Sequence, residues 1–481
     1  MTPIQFGTDG WRGLLGRDLN EASIAKVAQA FADYWREQKS SLENVQMAIA
    51  YDGRHRSSEF AQLFTRVLTG NGIQVTLGDR IVPTPVLSYT VKARSLDAGV
   101  TITASHNPAT YNGIKFKAHY GGPFFTEQTK AVEALLGQSE PQISDRPIPT
   151  ENLLDDYLNH LRKTIDLEAI GKAQLDVLVD SMGGAGQEIL AHLLTPYGCH
   201  VETINGVASA DFYGRSAEPI AKNLVPLMAR LRESDRFSLG LATDGDGDRL
   251  GAVLDGGEWL SAQETILLLA EYAIGQRQLA GDLVKTSSVT DRLAAIASRA
   301  GRNIYDVQVG FKYICEEMIE RAIAFGCEES GGYGFGCHIP ERDGIFSALM
   351  LLEMLAKSGA KRLSDRVRIQ RQTLGEIFYD RIDLSCQSDA YRDYLPYLAK
   401  AGVEAIASFS VERIFEFYSS RDIINGLKFT LQGNPRWLLL RASETEPMLR
   451  IYAEGRSPEE VKTLLTAGKT LLQQCEKRSS C

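Results

Sequence analysis

The most informative stretch of this sequence is Thr101-Ile-Thr-Ala-Ser-His-Asn-Pro-Ala-Thr-Tyr-Asn-Gly-Ile-Lys115. It continues an apolar run, Ala98 to Ile102, whose composition predicts a β-strand. Asn107-Pro108 must end that strand, because proline has no N–H group to donate and restricts the residue before it. Asn112-Gly113 indicates a second tight turn. The stretch therefore predicts a strand followed by a loop that is held by two turns.

This loop carries side chains that are capable of chemistry. Ser105 and His106 follow the predicted strand directly, and the second turn allows Lys115 to fold back toward them. A serine in such a position can act as a nucleophile or carry a covalent group. The same spacing also fits an ordinary Ser/Asn turn, in which the side chains satisfy only neighbouring backbone groups. The loop by itself does not decide between these two interpretations.

A second signal lies in the run from Phe237 to Arg249, where a predicted strand leads into three carboxylates separated by glycines, Asp244, Asp246 and Asp248. Carboxylates this close repel one another unless a cation is bound, and a set of oxygen ligands suits Mg²⁺ or Ca²⁺. An EF-hand loop is excluded, because Arg249 would occupy the position that requires glycine and Asp255 the position that usually holds glutamate. A solvated acidic turn is the remaining alternative, and we predict a metal site.

Three other loops combine polar side chains with glycine or alternate them along the chain. Residues 6–13 place three glycines around Arg12, so their backbone can approach a neighbouring segment closely. Residues 326–332 set Glu328, Glu329 and Ser330 among glycines. Residues 441–447 follow a predicted strand and alternate three groups that can hold a phosphate by charge-assisted and hydroxyl hydrogen bonds, Arg441, Ser443 and Thr445.

Other motifs in the sequence are less specific. Lys285 follows a short predicted strand, and Lys312 stands at a turn before a predicted helix. Arg54 and Arg56, in the loop of residues 52–57, fit a phosphate-facing position and a solvated loop equally well. The glycine cluster of residues 183–186 lacks the G-x-G-x-x-G spacing, so it does not indicate a dinucleotide site.

Composition narrows the class of protein. The 481 residues suggest about three domains, and 44% hydrophobic with 23% charged residues is typical of a soluble globular chain. A net charge of −9 disfavours nucleic acid and anionic membranes as partners, so a phosphorylated substrate would need a local basic pocket. Seven cysteines without a C-x-x-C pair argue against a disulfide framework. With no signal-peptide pattern at the N-terminus, we expect a cytoplasmic protein.

Thr103-Ala-Ser-His-Asn-Pro108 resembles the phosphoserine loop of the α-D-phosphohexomutases, the phosphoglucomutase and phosphomannomutase group. The other loops resemble the remaining signatures of that family and occur in the family's order, spanning residues 6 to 450. One position departs from the pattern, because Glu444 stands where the family usually has glycine. A carboxylate beside a phosphate dianion would repel it, so we expect Glu444 to point outward.

The resemblance implies the fold. It is an α/β architecture of four domains, with three mixed α/β domains and a smaller C-terminal α+β domain around a central cleft. In this interpretation residues 1–150 carry the phosphoserine loop and residues 151–262 the metal-binding loop. Residues 263–371 carry the sugar-binding loop and residues 372–481 the phosphate-binding loop.

The resemblance also implies the site. The catalytic groups would be Ser105, Lys115, Arg12 and His106. One Mg²⁺ per chain would be held by an oxygen of Ser105 and by Asp244, Asp246 and Asp248. The substrate would be bound by Arg249, Lys285, Lys312, Glu328, Ser330, Arg441, Ser443 and Thr445.

The implied function is a mutase that interconverts hexose 1-phosphate and hexose 6-phosphate through a phosphoserine enzyme and a 1,6-bisphosphate intermediate, which also acts as activator. The loops look closest to the glucose branch, partly because Phe311 stands where mannose-handling members often have histidine, and mannose remains a possible second substrate. A glucose 1,6-bisphosphate synthase and a phosphoglucosamine mutase are alternatives. A non-catalytic sugar-phosphate binder is disfavoured, because it would need neither Ser105 nor the three aspartates. Partners would be small sugar phosphates, with a monomer or dimer as the assembly.

Overall fold

The first domain is a six-stranded mixed sheet covered by helices. The computed structural model describes residues 4–7, 9–386, 389–419, 423–443 and 447–479. The strands are β1 (Trp11–Leu14), β2 (Gln46–Tyr51), β3 (Gln74–Gly78), β4 (Ala98–Ile102), β5 (Tyr111–Ala118) and β6 (Thr150–Glu151), in the order β1-β5-β4-β2-β3-β6. The helices are α1 (Glu21–Gln38), α2 (Ser57–Gly70), α3 (Thr84–Ala93) and α4 (Thr126–Ala134). Because β4 and β5 are antiparallel neighbours, the loop between them begins and ends at one edge of the sheet.

The core of the first domain follows from the helical spacing of apolar residues in α1. Its buried face includes Ile24, Val27 and Phe31, three or four residues apart, as an amphipathic helix requires. The ring of Phe31 stacks on Phe116 of β5 with 4.2 Å between centroids. The side chain of Asn20 caps the first turn of α1. This spacing in the sequence predicts a helix over residues 22–37, which α1 confirms, and the helix packs against β5.

The second domain is a five-stranded sheet in the order β11-β10-β9-β7-β8. Its strands are β7 (Asp176–Asp180), β8 (His200–Ile204), β9 (Leu239–Thr243), β10 (Leu250–Leu254) and β11 (Trp259–Leu260). Its helices are α5 (Leu154–Thr164), α6 (Leu167–Ala173), α7 (Ile189–Leu194) and α8 (Val225–Arg232). The segment before the three aspartates is strand β9, as predicted, and the acidic loop is the connection of an antiparallel β9–β10 hairpin.

The third domain has a four-stranded sheet in the order β13-β12-β14-β15. Its strands are β12 (Asp282–Thr286), β13 (Ile304–Val307), β14 (Ile323–Cys327) and β15 (Tyr333–Phe335). Its helices are α9 (Ala262–Glu271), α10 (Leu293–Arg299), α11 (Phe311–Glu320), α12 (Gly344–Ser358) and α13 (Leu363–Leu374). The predicted sugar-binding loop joins β14 to β15, and the long apolar helix α12 follows β15.

The fourth domain has a wholly antiparallel six-stranded sheet in the order β16-β21-β20-β19-β18-β17. The strands are β16 (Phe378–Ser385), β17 (Ala405–Ile406), β18 (Phe409–Tyr418), β19 (Ile424–Leu431), β20 (Trp437–Ala442) and β21 (Met448–Gly455). Helices α14 (Tyr394–Ala401) and α15 (Pro458–Ser479) accompany the sheet. The predicted phosphate-binding loop joins β20 to β21.

The second and third domains share one apolar core, whereas the first and fourth are built mainly around their own. Helix α12 contributes to the shared core with a nearly continuous apolar sequence, which suits a helix buried on most sides. The predicted four-domain α/β architecture is confirmed. Within the described part of the chain, no helix has the length and apolar character needed to cross a membrane.

A histidine pair couples α5 to the segment before α12. His160 Nε2 lies 2.9 Å from Nδ1 of the buried His338, and His338 Nε2 lies 2.8 Å from Asp343 Oδ2. Burial, followed by the His338 ring, lowers the pKa of His160 to about 4. The ammonium groups of Lys92 and Lys163 act in the same direction, and Asp343 opposes the shift. His160 is therefore uncharged in the folded protein at neutral pH.

This pair predicts a loss of stability in mild acid. The unfolded chain regains an ordinary histidine pKa near 6.5, so between about pH 6.5 and pH 4 it binds a proton that folded His160 does not. Stability must then fall as the pH falls through that window. We expect the melting temperature of His160→Gln to depend less on pH than that of the wild type, as measured by circular dichroism. His192→Gln, at an exposed position of α7, should keep the wild-type slope. Equal slopes for His160→Gln and wild type would contradict the prediction.

Candidate active site

Ser105 lies in the loop after β4 and faces the acidic loop of the second domain. Its side chain is only 1% exposed, and its Oγ donates a hydrogen bond to Asp244 Oδ2 at 2.8 Å. The two loops can approach this closely because residue 245 is glycine, where a Cβ atom would lie 2.3 Å from the Ser105 carbonyl oxygen. The fold thus brings together two motifs that lie 139 residues apart in the chain.

The three aspartates form one buried cluster. Their carboxylates each offer an oxygen within 4.8 Å of the others, and all three side chains are fully buried. Burial, followed by repulsion from Asp248 and Asp246, raises the pKa of Asp244 well above its ordinary value. One oxygen of Asp246 and one of Asp248 are buried without a hydrogen-bond partner among the described residues. Buried carboxylate oxygens of this kind are suitable ligands for a cation, so the cluster could bind a metal, and its donor set fits Mg²⁺.

Lys115 closes the cluster from the side of the first domain. Its ammonium nitrogen lies 2.8 Å from Asp246 Oδ2, 3.0 Å from Asp248 Oδ2 and 2.8 Å from Asp9 Oδ2. Burial alone would lower the pKa of Lys115, but the three carboxylates raise it above the ordinary value. For Asp246, burial favours a higher pKa, but Lys115 and the Thr84 hydroxyl hold it below the ordinary range. In this state Lys115 is a protonated donor beside Asp246 and Asp248.

His106 and Arg12 lie on the other side of Ser105. His106 Nδ1 is 3.4 Å from Ser105 Oγ. Burial and the surrounding cations, led by Arg249, lower the pKa of His106 well below its ordinary value, so the ring is neutral. Arg12 donates to Asn107 Oδ1 at 2.6 Å, which attaches the N-terminal loop to the serine loop. The fold therefore brings both residues to the serine loop, and their catalytic roles stay predictions.

Arg342 is a buried cation that the sequence analysis missed. Its guanidinium lies 2.6 Å from Asp9 Oδ2, 2.9 Å from Asp248 Oδ2 and 3.4 Å from Glu328 Oε2. It links the N-terminal loop, the acidic loop and the predicted sugar-binding loop. The available signal was an arginine directly before Asp343, which caps α12, but this pattern suggests only the start of a helix.

The predicted sugar-binding loop is next to Arg342. Burial raises the pKa of Glu328 to about 7, although the Arg342 guanidinium opposes the shift. Ser330 lies half-buried in the same turn between β14 and β15. Glu329 points elsewhere, since it accepts a hydrogen bond from Ser288 and lies 3.7 Å from Arg381 of the fourth domain. Glu328 is therefore the carboxylate of this loop that faces the site.

Lys312 and Arg441, two more of the predicted substrate ligands, lie in the described part of the chain. Lys312 donates to Thr126 Oγ1 at 2.6 Å and lines a cavity with Gly7 of the first domain and Ser443 of the fourth. Arg441 is the second-last residue of β20 and is buried. Thr445 and Glu444 lie outside the described residues, so the proposed roles of both remain predictions.

Lys285 is engaged in a different contact. Its ammonium lies 3.0 Å from Asp291 Oδ1 and 2.9 Å from Asp306 Oδ2. Lys428 of the fourth domain contacts the same Asp291 at 2.7 Å. In this structure Lys285 therefore belongs to a buried ion cluster between the third and fourth domains. A direct contact of Lys285 with substrate stays a prediction.

The four domains resemble those of known proteins. Models of the phosphoglucomutase/phosphomannomutase family match all four domains in order: α/β/α domain I over residues 3–142, domain II over 155–257, domain III over 261–372 and the C-terminal domain over 398–467. A phosphoglucomutase/phosphomannomutase of Thermococcus kodakarensis is 28% identical, covering 98% of this chain and 99% of its own. A phosphoglucosamine/phosphogalactosamine mutase of Sulfurisphaera tokodaii is 28% identical over 97% of this chain and 99% of its own.

The solved structures give the same result. A crystal structure from Thermus thermophilus, assigned as a phosphomannomutase, superposes with a TM-score of 0.84 at 32% identity, covering 98% of this chain and 99% of that one. Together with the four matched domains, a buried serine beside an acidic cluster defines an enzyme of the sugar-phosphate mutase class. The chain belongs to the phosphoglucomutase/phosphomannomutase family.

Proposed function

We propose that this enzyme interconverts hexose 1-phosphate and hexose 6-phosphate through phosphorylated Ser105 and a hexose 1,6-bisphosphate intermediate. The observation that carries the proposal is the contact of Ser105 Oγ with Asp244 in a three-aspartate cluster. A nucleophilic hydroxyl beside a set of oxygen ligands suits phosphoryl transfer, in which stabilising the transferring group is the main task.

The transfer exchanges a phosphoryl group for a proton. The oxygen of a free sugar hydroxyl bonds to phosphorus as the bond between phosphorus and Ser105 Oγ breaks. The electron pair of the broken bond stays on Oγ. The proton of the sugar hydroxyl passes to Oγ, and we assign this proton transfer to Lys115 and His106. Mg²⁺ held by the three aspartates and Ser105 would withdraw charge from the phosphoryl group. The second half of the reaction reverses these steps with the other phosphate of the bisphosphate.

Two sugar orientations must be accepted by one site. We assign the sugar hydroxyls to Glu328 and Ser330, because carboxylates accept paired hydrogen bonds from adjacent hydroxyls. The far phosphate is assigned to Arg441, Ser443 and Thr445, with Arg249 adding positive charge near the transfer. The cavity that Lys312 shares with Ser443 supports a contact of Lys312 with the same phosphate. Closure of the fourth domain over the substrate would complete this pocket.

Glucose phosphate is the proposed preferred substrate, with mannose phosphate as a second one. Phe311, which favoured glucose in the sequence, supports that choice less strongly in the structure. Its ring is buried under the Arg342 guanidinium at 5.5 Å and packs in the core. The names of relatives include glucosamine phosphate mutases, so phosphoglucosamine mutase is the alternative. Coupled assays of kcat/KM with the 1-phosphates of glucose, mannose and glucosamine test the assignment. A preference for glucosamine 1-phosphate would overturn it.

A mutase and a bisphosphate synthase would release different products. With glucose 1-phosphate and a catalytic amount of glucose 1,6-bisphosphate, we expect glucose 6-phosphate to accumulate steadily. The reason is that a bisphosphate held by the phosphate-binding loop turns over before it leaves. Phosphorus NMR measures both products. Bisphosphate release that stalls without a second phosphoryl donor would identify a synthase. In that case Glu444→Gly, which restores the family's usual residue, should shift the balance toward glucose 6-phosphate.

A further inference from the structure

Arg54 lies behind the serine loop and binds its backbone. The residue is 3% exposed. Its Nη2 donates to the carbonyl oxygens of Ser105 at 2.5 Å and Asn107 at 2.6 Å. Its Nη1 donates to those of Pro108 at 3.0 Å and Tyr111 at 2.9 Å. One guanidinium thus spans the whole turn that follows Ser105.

The count of donors excludes a direct role in binding phosphate. A guanidinium has five N–H groups. Four of those of Arg54 are engaged by backbone carbonyls. The fifth, on Nε, makes no hydrogen bond among the described residues, but it is buried and lies 3.3 Å from Asp52 Oδ2. The outer face of the group is covered by the Phe212 ring of the second domain at 4.7 Å. Arg54 is therefore neither solvated nor directed at phosphate, the two options that its sequence left open.

Asp52 supports the backbone N–H of Ser105 through Thr103. Its Oδ2 accepts a hydrogen bond from Thr103 Oγ1 at 2.6 Å, and Thr103 Oγ1 in turn accepts from the Ser105 N–H at 2.9 Å. Both the N–H and the C=O of Ser105 are thus held by the turn that follows β2. Ser105 needs this support, because its φ of +51° lies in the left-handed region, which is unfavourable for residues other than glycine.

We propose that Arg54 is a positioning residue for phosphoryl transfer: it fixes Ser105 Oγ opposite the aspartate cluster by binding the carbonyls of the serine loop. The inference rests on the proposed function of Ser105. Without the guanidinium, the carbonyl oxygens of Ser105 and Asn107 would lose the donor that binds both of them, and the loop would move to satisfy them. A displacement of about 1 Å can cost about 100-fold in rate. The loss should appear in kcat, because the Arg54 guanidinium is buried behind the serine loop and both of its Nη atoms are bound to that loop.

The test compares Arg54→Lys with Arg56→Lys in the full-length enzyme charged with Mg²⁺. Lysine keeps the charge but cannot place four donors in one plane. We expect kcat of Arg54→Lys to fall by about 100-fold while KM stays within about threefold. Arg56 is the matched control, since its side chain is 39% exposed and pairs with Glu21. In Arg54→Ala, added guanidinium should restore at least about tenfold of the lost kcat at an unchanged melting temperature, whereas methylammonium should not.

A folded Arg54→Lys enzyme with the wild-type kcat would overturn the proposal. If neither Arg54 variant folds, Thr103→Val decides. Removing the hydroxyl that joins Asp52 to Ser105 should lower kcat roughly tenfold, and Thr103→Ser should retain it. A wild-type kcat in folded Thr103→Val would then overturn the proposal. Ser105→Ala separates the two levels, because normal turnover in that variant defeats the proposed function, whereas an inactive Ser105→Ala with a normal Arg54→Lys defeats only the role of Arg54.

Discussion

Ser105→Ala should abolish mutase turnover, with a fall in kcat of at least about 1,000-fold. The reason is that alanine removes the only atom of this residue that can carry the phosphoryl group, Oγ, which contacts Asp244 at 2.8 Å. Binding of sugar phosphate should change little, since the proposed sugar and phosphate contacts lie on the third and fourth domains. A coupled assay with glucose 1-phosphate measures turnover, and calorimetry measures binding.

The same variant tests the covalent state. Intact mass before and after phosphatase treatment should show one removable phosphate on the wild type and none on Ser105→Ala. Ser95→Ala is a matched control, because Ser95 also has a positive φ but is exposed. It should keep both the phosphate and the activity. Normal turnover in Ser105→Ala would show that another group accepts the phosphoryl group.

Asp246→Asn is the second change with a large expected effect. Asp246 Oδ1 is buried without a hydrogen-bond partner among the described residues, whereas Oδ2 is already bonded to Lys115 and Thr84. Asparagine keeps the shape and removes the charge, so a bound cation would lose a strong ligand. We expect kcat to fall by about 100-fold or more, with a much smaller change in KM.

Metal binding can be measured without the reaction. Mg²⁺ should raise the melting temperature of the wild type, because a ligand that binds only the folded state stabilises it, and the rise should shrink in Asp246→Asn. Asp235→Asn, at an exposed position before β9, should respond like the wild type. EDTA should silence the wild type and Mg²⁺ should restore it. Full activity in EDTA would rule out the three-aspartate metal site.

The local motifs were readable from the sequence because each depends on neighbouring residues. Pro108 cannot continue a strand, so the loop after β4 could be predicted together with the side chains that it presents, as could the loop after β9. The second turn predicted at Asn112-Gly113 is wrong, because both residues lie inside β5 and are paired with β1. The helical spacing of apolar residues likewise predicted α1, which the structure confirms within one residue at each end. The order of the loops along the chain was then enough to indicate the family and its four domains.

Only the tertiary structure decided which cations face the aspartates. Lys285 was a predicted ligand and Arg342 was not, yet Arg342 contacts Asp248, whereas Lys285 is bound by Asp291 and Asp306. Arg54 was ambiguous for the same reason, since its partners are carbonyls more than 50 residues away. A cation binds whichever carboxylate or carbonyl the fold brings within about 3 Å, and that distance is set by the packing of domains and not by sequence spacing.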